Sequence, residues 1–495
     1  MRILGQTLSD GEVRIVNAPD PNMGSGQVRV STLFSAVSPG TEGGKVKTGR
    51  QSLLGKARSK PEQAKQAISM ISSLGLKDTI RKVRSKLEGA QPLGYSICGT
   101  VIEAGAEVEG LSPGDTVACA GGGYANHAEQ AVVPENLVVK VPEGVDPSDA
   151  AFSTLASIAQ QGIRNAGPTP GDCALVIGLG IIGQLAGQML KASGCRVMGT
   201  DLSQNAVDLA LKAGSADRAV LSGGPGLERT AEEFSRGRGF DMILICAGTP
   251  SNEPVETAGK LARKKGRVVV VGAVGMDIPR EDYYRKEISF SVSCSYGPGR
   301  YDPDYEERGV DYPYPYVRWT EGRNMEAVLD MMQSGALRPS SLVTHRVPFD
   351  DAPSAYEMIA EGSEYFCGIL LEYDARKNEP VSSVGISSQH RKSEGQIGVG
   401  MVGCGSFAQT FLLPPLKRAS NVRLTAIATG SGLTASDIAK RSGFLKAVSS
   451  GEQVAGDSET DAVVIAARHD QHAPSVLAAL KAGKHVFVEK PLALT

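Results

Sequence analysis

Apolar and polar residues alternate over short distances in the first 150 residues, and glycine or proline separates the apolar runs. Clear examples are QVRVSTLFSAV, SICGTVIEA and AEQAVVPENLVVKV. A period of two buries one face of each strand, and glycine-rich breaks favour tight turns. This part of the chain is therefore predicted to form a small β-barrel-like domain.

Residues 45–88 interrupt that pattern. Apolar residues recur there at helical spacing with lysine and arginine between them, as in KARSKPEQAKQAISMISSLG. We predict a helical insertion made of two helices that separate near Gly75. Its basic residues are compatible either with a surface for a partner or anionic substrate, or with a solvated face that covers the barrel.

Apolar strands alternate with helical segments from residue 151 to residue 294, which is typical of a parallel sheet covered by helices on both faces. Residues 295–373 return to a mixed pattern. Residues 374–395 are polar and lack aromatic side chains, as expected for a linker. A second strand–helix alternation occupies residues 396–495.

A glycine-rich turn joins a strand to a helix in the first alternation, LVIGLGIIG. Its G-x-G-x-x-G pattern consists of Gly178, Gly180 and Gly183. Such glycines permit a tight turn, the approach of a pyrophosphate and close helix packing. Asp201 ends the next strand some 20 residues later, where a carboxylate can bind the ribose hydroxyls of NAD and repel the 2′-phosphate of NADP. NAD is therefore the predicted cofactor, with Gly248 and Gly272 at later strand ends beside the nicotinamide.

The second alternation opens with a related turn, GVGMVGCGSFAQ. Its G-x-G-x-x-A pattern consists of Gly403, Gly405 and Ala408. The following strand ends in Thr429 and Gly430 instead of an acid, so either NAD or NADP is expected at this second cofactor site.

Composition narrows the possible partners and compartments. The formal net charge is -2, and no run of about 18 apolar residues occurs, so neither a nucleic acid nor a membrane is expected as a partner. The eight cysteines show no C-x-x-C spacing, and we expect reduced thiols in a cytoplasmic protein. A small-molecule substrate and assembly as a homo-oligomer are expected.

Several motifs in residues 1–373 resemble the medium-chain dehydrogenase/reductase superfamily, the alcohol dehydrogenase and quinone reductase group. They include SPGTE, LGYSICGTVIEAG, AAFSTLASIAQQGIR, GLGIIG and HRVPFDDAPSAYEMI. The resemblance implies an α/β fold in which a GroES-like β-barrel domain, residues 1–150 and 295–373, flanks a Rossmann NAD-binding domain, residues 151–294. It places the active site in the cleft between them.

Two positions depart from the zinc-dependent members of that superfamily. Pro39 stands where they place a cysteine before G-T-[DE], and Tyr95 replaces the histidine of their G-H-E motif. Neither residue is a suitable zinc ligand, so a zinc-independent enzyme without a metal site is predicted. Tyr95 is the predicted acid and Thr41 the proton relay, with Ser96 entering the vacated metal site; alternatively, Tyr95 only packs there.

The segment SYGPGRYDPDYEERGVDYPYPYVRWTEGRN, residues 295–324, concentrates tyrosine and arginine. Aromatic faces and guanidinium groups suit a polyhydroxylated or anionic ligand such as a sugar or nucleotide sugar. An ordered loop packed by its own aromatic side chains explains the composition equally well.

The final hundred residues resemble the amino-terminal domain of the glucose-fructose oxidoreductase and inositol dehydrogenase family, also called Gfo/Idh/MocA. The resemblance rests on the second glycine turn and on the E-K-P motif formed by Glu489, Lys490 and Pro491. It implies a cofactor-binding E-K-P motif whose Lys490 assists proton transfer, in a second Rossmann domain that is incomplete because the family's substrate-binding sheet is missing. His469 and His472 fit loop or helix-cap roles better than proton donation.

The whole arrangement resembles bacterial bi-domain oxidoreductases, which are often linked with polysaccharide biosynthesis. The leading hypothesis is NAD-dependent hydride transfer to or from a carbonyl or hydroxyl of a sugar-like substrate. Reduction of a conjugated double bond, as in enone or quinone reductases, is an alternative. A cofactor-binding scaffold without catalysis is another.

Overall fold

The computed structural model describes residues 1–51, 55, 69, 79, 87–224, 226–374, 381–386 and 395–494. Most of the predicted insertion at 45–88, including Gly75, lies outside these residues, so its division into two helices stays a prediction. One boundary differs from expectation, because a helix already begins at Pro39 and SPGTE forms its first turn. Proline is favoured in a first helical turn, where its missing N–H has no partner to lose.

Short strands dominate the first part of the chain, as the period-two pattern predicts. They are β1 (Arg2–Thr7), β2 (Val13–Asn17), β3 (Gln27–Val37), helix α1 (Pro39–Arg50), β4 (Ala90–Pro92), β5 (Ser96–Ala104), β6 (Thr116–Ala120), β7 (Gln130–Pro134) and β8 (Val138–Lys140). A three-stranded sheet has the order β2-β1-β4. Strand β3 is long enough to pair with β7 near its start and with β5 along its other edge.

The next part alternates strands and helices. Its elements are α2 (Pro147–Ala150), α3 (Ser153–Ala166), β9 (Cys173–Ile177), α4 (Ile181–Ala192), β10 (Arg196–Asp201), α5 (Gln204–Lys212), β11 (Arg218–Leu221), α6 (Gly226–Ser235), β12 (Phe240–Ile245), α7 (Glu253–Leu261), β13 (Ala262–Val270), α8 (Arg280–Lys286) and β14 (Ser289–Val292). The strands form a parallel sheet in the order β11-β10-β9-β12-β13-β14. Every residue of the central strand β9 is buried, as expected when helices cover both faces.

The chain then adds strands to the sheet that contains β3. The elements here are α9 (Pro303–Glu306), α10 (Glu321–Gln333), β15 (Val343–Pro348), α11 (Ala352–Glu361) and β16 (Gly368–Glu372). Strand β16 pairs antiparallel with the second half of β3, which completes a seven-stranded sheet of order β15-β16-β3-β5-β6-β8 with β7 also on β3. Residues far apart in sequence therefore share one sheet.

A second, mostly parallel sheet forms the last part. Its elements are β17 (Ser383–Gly385), β18 (Ile397–Val402), α12 (Leu413–Arg418), β19 (Val422–Ala428), α13 (Gly432–Ser442), β20 (Lys446–Val448), α14 (Gly451–Ala455), β21 (Ala462–Ile465), α15 (His472–Lys481) and β22 (His485–Val488). The order is β17-β20-β19-β18-β21-β22. Strand β17 lies inside the predicted linker 374–395, so that part of the prediction is wrong: it pairs antiparallel with β20. The α/β fold class with a second Rossmann-like sheet is confirmed.

Helix α13 docks the second sheet onto the first part of the chain. Leu433 is fully buried in a cluster with Met1, Ile3 and Ala90. Asp20 N donates to the carbonyl oxygen of Val381 at 2.8 Å, and Val381 N donates to the Asp20 carboxylate at 2.8 Å. None of the helices in the described part of the chain has the length and apolar character that crossing a bilayer requires.

Candidate active site

The first glycine turn lies at the carboxyl edge of the parallel sheet, between β9 and α4. Gly178 has a φ of +94°, and a Cβ there would lie 2.6 Å from the backbone nitrogen of Ala247. A Cβ at Gly183 would lie 1.9 Å from the carbonyl oxygen of Gly178. A Cβ at Gly180, by contrast, would contact nothing within 4 Å, and this residue caps α4. The turn thus leaves open space at the helix N-terminus, where a pyrophosphate binds favourably.

Asp201 ends β10 and holds the first turn in place. Its Oδ2 accepts a hydrogen bond of 2.7 Å from Leu179 N, and its Oδ1 accepts one of 2.9 Å from Ser203 N. Each carboxylate oxygen has a further lone pair that a ribose hydroxyl can use. Asp201 therefore fixes the turn and keeps acceptors at the sheet edge; its role in cofactor choice stays a prediction.

Two more predicted cofactor residues follow neighbouring strands at this edge. Gly248 bridges to Ala273, and a Cβ at Gly272 would lie 2.1 Å from the carbonyl oxygen of Ala247. The strand ends are thus packed too closely for a larger residue at Gly272. Contact of either glycine with a nicotinamide stays a prediction.

Tyr95 and Thr41 are brought together although more than fifty residues separate them in sequence. The side chains of Thr41 and Ser38 lie close enough to the Tyr95 hydroxyl to lower its pKa. Burial and then the charge of Glu42 outweigh them and raise the pKa of Tyr95 to about 12. The phenol therefore keeps its proton near neutral pH and can donate it. Thr41 itself is exposed to solvent.

Ser96 does not enter the position expected for it. It is fully buried, and its hydroxyl donates a 2.6 Å hydrogen bond to the carbonyl oxygen of Ala151. As the first residue of β5 it alternates with Tyr95 across the sheet, so the two side chains point in different directions. The expectation that Ser96 joins Tyr95 there is wrong.

A buried polar network beneath Tyr95 was missed from the sequence. Glu42 and His127 are both fully buried, with His127 Nε2 3.2 Å from Glu42 Oε2. The hydroxyl of Tyr356 donates to the same carboxylate, and Gly94 N donates to it at 3.0 Å. On the other side of the ring, His127 Nδ1 lies 2.7 Å from Ser35 Oγ. No local sequence signal indicates this network, because Glu42 lies in the polar SPGTE turn and His127 lies 85 residues away.

This network fixes the turn that carries Tyr95. Gly94 has a φ of +90°, and a Cβ there would lie 2.6 Å from His127 N. Burial alone would raise the pKa of Glu42, but the charge and hydrogen bond of His127 hold it below its usual range. Glu42 is therefore an anion that ties the Ser38 turn, through Ser38 N at 2.9 Å, to the Gly94 turn.

The tyrosine-rich segment 295–324 is ordered by its own side chains. The rings of Tyr305 and Tyr312 stack with centroids 5.5 Å apart, and the guanidinium groups of Arg164 and Arg318 lie 3.2 and 3.7 Å from the ring of Trp319. Tyr296 packs into the same apolar cluster as Tyr95. The aromatic loop is thus present and borders Tyr95, while ligand binding by it stays a prediction.

The second glycine turn repeats the first at Gly403. Its φ is +77°, and a Cβ there would lie 2.4 Å from Ala467 Cα, whereas one at Gly405 would contact nothing within 4 Å. Ala408 is buried and begins a π-helix, Ala408–Leu412, that runs into α12. Thr429 Oγ1 donates to the carbonyl oxygen of Ser431 at 2.7 Å.

The E-K-P motif follows β22 at the same edge of the second sheet. Glu489 N donates to the carbonyl oxygen of Ile465 at 2.9 Å, and Lys490 is exposed. His472 is buried, with Nδ1 2.7 Å from the carbonyl oxygen of Pro491 and Nε2 3.2 Å from that of Ala467. The geometry supports a structural role for His472. The functions of Glu489, Lys490 and Pro491 stay predictions.

Three protein families match parts of this chain. They are the alcohol dehydrogenase GroES-like domain at residues 71–143, the zinc-binding dehydrogenase family at 182–308 and the oxidoreductase family with an NAD-binding Rossmann fold at 397–495. Together they confirm the predicted succession of a medium-chain dehydrogenase part and a second Rossmann domain.

The zinc that one of these family names implies does not fit the residues at the corresponding positions. Pro39 offers no lone pair, and the Tyr95 phenol keeps its proton at neutral pH. Glu42 and His127 lie nearby but are bonded to each other and to neighbouring groups. Within the described residues, no group of three or more His, Cys, Asp or Glu side chains has a metal-binding arrangement.

Similar proteins include several named dehydrogenases. A D-guloside 3-dehydrogenase from Shigella flexneri is 28% identical over 278 residues, 54% of this chain and 73% of its own length. A sorbitol dehydrogenase from Halalkalibacterium halodurans is 25% identical over 302 residues, 54% of this chain and 80% of its own length.

Solved structures support the fold. The alcohol dehydrogenase of Thermus sp. ATN1 aligns with a TM-score of 0.57 at 19% identity, covering 76% of this chain and all of that one. Galactitol-1-phosphate dehydrogenase from Escherichia coli gives a TM-score of 0.57 at 20% identity, covering 75% and 100%. The chain is a bi-domain NAD(P)-dependent oxidoreductase that joins alcohol-dehydrogenase-like, medium-chain domains to a Rossmann domain of the GFO/IDH/MocA family.

Proposed function

We propose that this protein transfers hydride, without zinc, between NAD and a hydroxyl or carbonyl carbon of a sugar-like substrate bound beside Tyr95. The relatives named for D-guloside and sorbitol support a substrate of this class. We also propose three domains: a GroES-like domain of residues 1–150 and 295–373, a Rossmann domain of residues 151–294, and a second Rossmann domain of residues 396–495. A role in polysaccharide biosynthesis is part of the same proposal.

The observation that carries the proposal is the close approach of Thr41 and Ser38 to the protonated hydroxyl of Tyr95. When bound, the nicotinamide supplies or accepts the hydride. The protonated Tyr95 hydroxyl donates to the substrate carbonyl oxygen and so stabilises the negative charge that develops there. Thr41 then passes a proton between Tyr95 and solvent, because its side chain reaches both. Glu42, tied to Gly94 N, holds the turn that aims Tyr95.

The test is to measure NADH formation and consumption with a panel of alditols, glycosides and their oxidised forms. Tyr95→Phe should lower kcat by about 100-fold or more, because general acid catalysis by one side chain typically contributes that much. The Kd for NAD should not change, since the predicted contacts with the cofactor are made by the glycine turn and Asp201 and not by Tyr95. Tyr284→Phe, at a tyrosine that is 70% exposed on α8, is the matched control.

Chelator-dialysed protein, with metal content measured, should keep full activity. An unchanged kcat in Tyr95→Phe would contradict the catalytic assignment. Turnover of enones but not of sugars would instead favour double-bond reduction, and activity that requires added zinc would contradict the metal-free mechanism.

A further inference from the structure

Three polar side chains near the start of α10 contain buried atoms that have no hydrogen-bond partner. These are both carboxyl oxygens of Glu321, the hydroxyl of Tyr296 and Nε of Arg300, judged over the described residues. Glu321 is fully buried and Tyr296 is 2% exposed. Buried polar groups in folded proteins are nearly always paired, so three such groups together suggest a ligand that completes them.

The three side chains form one cluster. The Arg300 guanidinium carbon lies 5.6 Å from the centre of the Tyr296 ring. Glu321 is close enough to Tyr296 to affect its pKa, and Arg300 is close enough to Glu321 to lower the pKa of that carboxyl. Glu321 N donates to the carbonyl oxygen of Pro298 at 2.9 Å, and Asn324 Nδ2 donates to that of Tyr296 at 2.9 Å. These bonds hold the loop that carries Tyr296 and Arg300 against the start of α10.

The cluster borders the cleft of the proposed reaction. Its loop leaves the carboxyl edge of the first parallel sheet directly after β14, where Ser293 N donates to the carbonyl oxygen of Val270 at 2.8 Å. Tyr95 is close enough to Tyr296 to affect its pKa, and Cys246 follows β12 at that same edge. The same edge carries the first glycine turn, so the cluster lies at the edge of the sheet where the cofactor is predicted to bind.

The loop over the cluster has a strained backbone. Ser295 and Tyr301 have φ values of +47° and +68°, and Gly297 and Gly299 between them have +131° and +110°. Positive φ is unfavourable for residues with a side chain and is often found at ligand clamps. Contact between the buried atoms and a substrate would require this loop to move.

The charges within the cluster decide what ligand it suits. Arg300 is already paired with Glu306. Burial, and then the charge of Glu306, raise the pKa of Glu321 to about 9, so its carboxyl is neutral at neutral pH. Within the cluster itself, Glu306 therefore already compensates the positive charge of Arg300. Neutral carboxyl and phenol groups both donate and accept hydrogen bonds, as sugar hydroxyls do.

We propose that Tyr296, Arg300 and Glu321 form the substrate-recognition surface of the first cleft and bind uncharged hydroxyl groups of a sugar or alditol in preference to a phosphate. This proposal rests on the proposed function for the location of the reaction. It deepens that function by naming the binding groups and by choosing a neutral polyol over a sugar phosphate or nucleotide sugar.

The experiment titrates alditols, glycosides and a sugar phosphate into the full chain with NAD present. The fluorescence of Trp319, the only tryptophan, reports binding two residues from Glu321 without requiring turnover. Tyr296→Phe and Glu321→Gln should each weaken polyol binding about tenfold or more and leave the Kd for NAD unchanged. Both substitutions preserve side-chain size at unpaired positions, so the fold should be retained, as circular dichroism would show. Tyr316→Phe, at a tyrosine that is 88% exposed on the same segment, is the matched control.

The outcomes separate this proposal from the proposed function. Polyol binding that depends on Tyr296 and Glu321, but without turnover, would support the recognition surface and contradict the function. Turnover of polyols that neither substitution affects would overturn the recognition surface alone. Tighter binding of the sugar phosphate than of the neutral sugar, or no sugar binding by the unmodified chain, would also overturn it.

Discussion

The two glycine turns of this protein share one backbone design but differ in what surrounds them. In both, the first glycine has positive φ and is packed against the end of the adjacent parallel strand, at Ala247 in one case and Ala467 in the other. In both, the second glycine borders open space. The first turn is held by the carboxylate of Asp201, whereas Thr429, just after the corresponding strand of the second sheet, uses its hydroxyl for a local bond to Ser431.

The helices that follow also differ. The first turn leads into the regular twelve-residue helix α4, and the second leads into a π-helix and the short α12. The comparison teaches that the glycine pattern specifies how the chain turns at the sheet edge. We expect the acid after the neighbouring strand to determine the cofactor, and the residues facing the cleft to determine the substrate.

The largest expected effect comes from the third position of the pattern. Gly183→Ala should weaken NAD binding at the first site by about 100-fold and lower the free energy of unfolding by about 2–3 kcal/mol, because its Cβ would lie 1.9 Å from the Gly178 carbonyl oxygen. Titration calorimetry with NAD and denaturant unfolding measure both effects.

The matched control is the reverse change at the second turn. Ala408 already carries a Cβ and is buried, so Ala408→Gly should cost only about 0.5–1 kcal/mol through helix propensity and leave the first site intact. If Gly183→Ala bound NAD as tightly as the unmodified chain, close packing at this turn would not be required for binding.

Features of the first site could be predicted from sequence to different degrees. The turn at Gly178 and the acid at Asp201 are local patterns of fixed spacing, so sequence alone placed them at one edge of the sheet. The pairing of Glu42 with His127 could not be predicted, because 85 residues separate them and only the sheet brings them together.

Two other expectations failed because they concerned the direction of side chains and the pairing of a short strand. The motif G-Y-S suggested that Tyr95 and Ser96 act together, yet consecutive residues at the start of a strand point to opposite faces. The polar composition around Ser383 suggested a linker, although three residues suffice for an edge strand on β20. Polarity does not exclude a strand that pairs along only one edge.

A second prediction concerns the carboxyl of Glu321, which is buried beside the first cleft. The charged residue predicted for the second site, Lys490, is exposed instead. The pKa of Glu321 is raised from 4.5 to about 9, so the folded protein keeps a proton that the unfolded chain has already lost. Its contribution therefore becomes less favourable as the pH rises from about 5 to about 9, by at most about 1.4 kcal/mol per pH unit. Glu321→Gln lacks this titration.

Denaturant unfolding at about pH 6 and about pH 9 measures the difference between Glu321→Gln and the unmodified chain. The variant should gain relative stability with rising pH, by a few kcal/mol in total once structural relaxation is allowed for. A difference that stays constant across this range would show that Glu321 is ionised in the folded state at neutral pH, and so would remove the argument for a neutral ligand.

The smallest effect concerns cofactor choice, and reciprocal substitutions test it at the two turns. Asp201→Asn keeps an oxygen that can accept the hydrogen bond from Leu179 N but removes the charge that opposes a 2′-phosphate, so the preference of the first site for NAD over NADP should fall about tenfold. Thr429→Asp adds such a charge after β19 and should weaken NADP binding at the second site by about the same factor. Calorimetric Kd values for NAD and NADP, measured in both variants, check the two expectations. If Asp201→Asn left the preference unchanged while the turn stayed folded, the carboxylate would serve only to hold Leu179 and Ser203, and the two sites would differ in structure but not in cofactor.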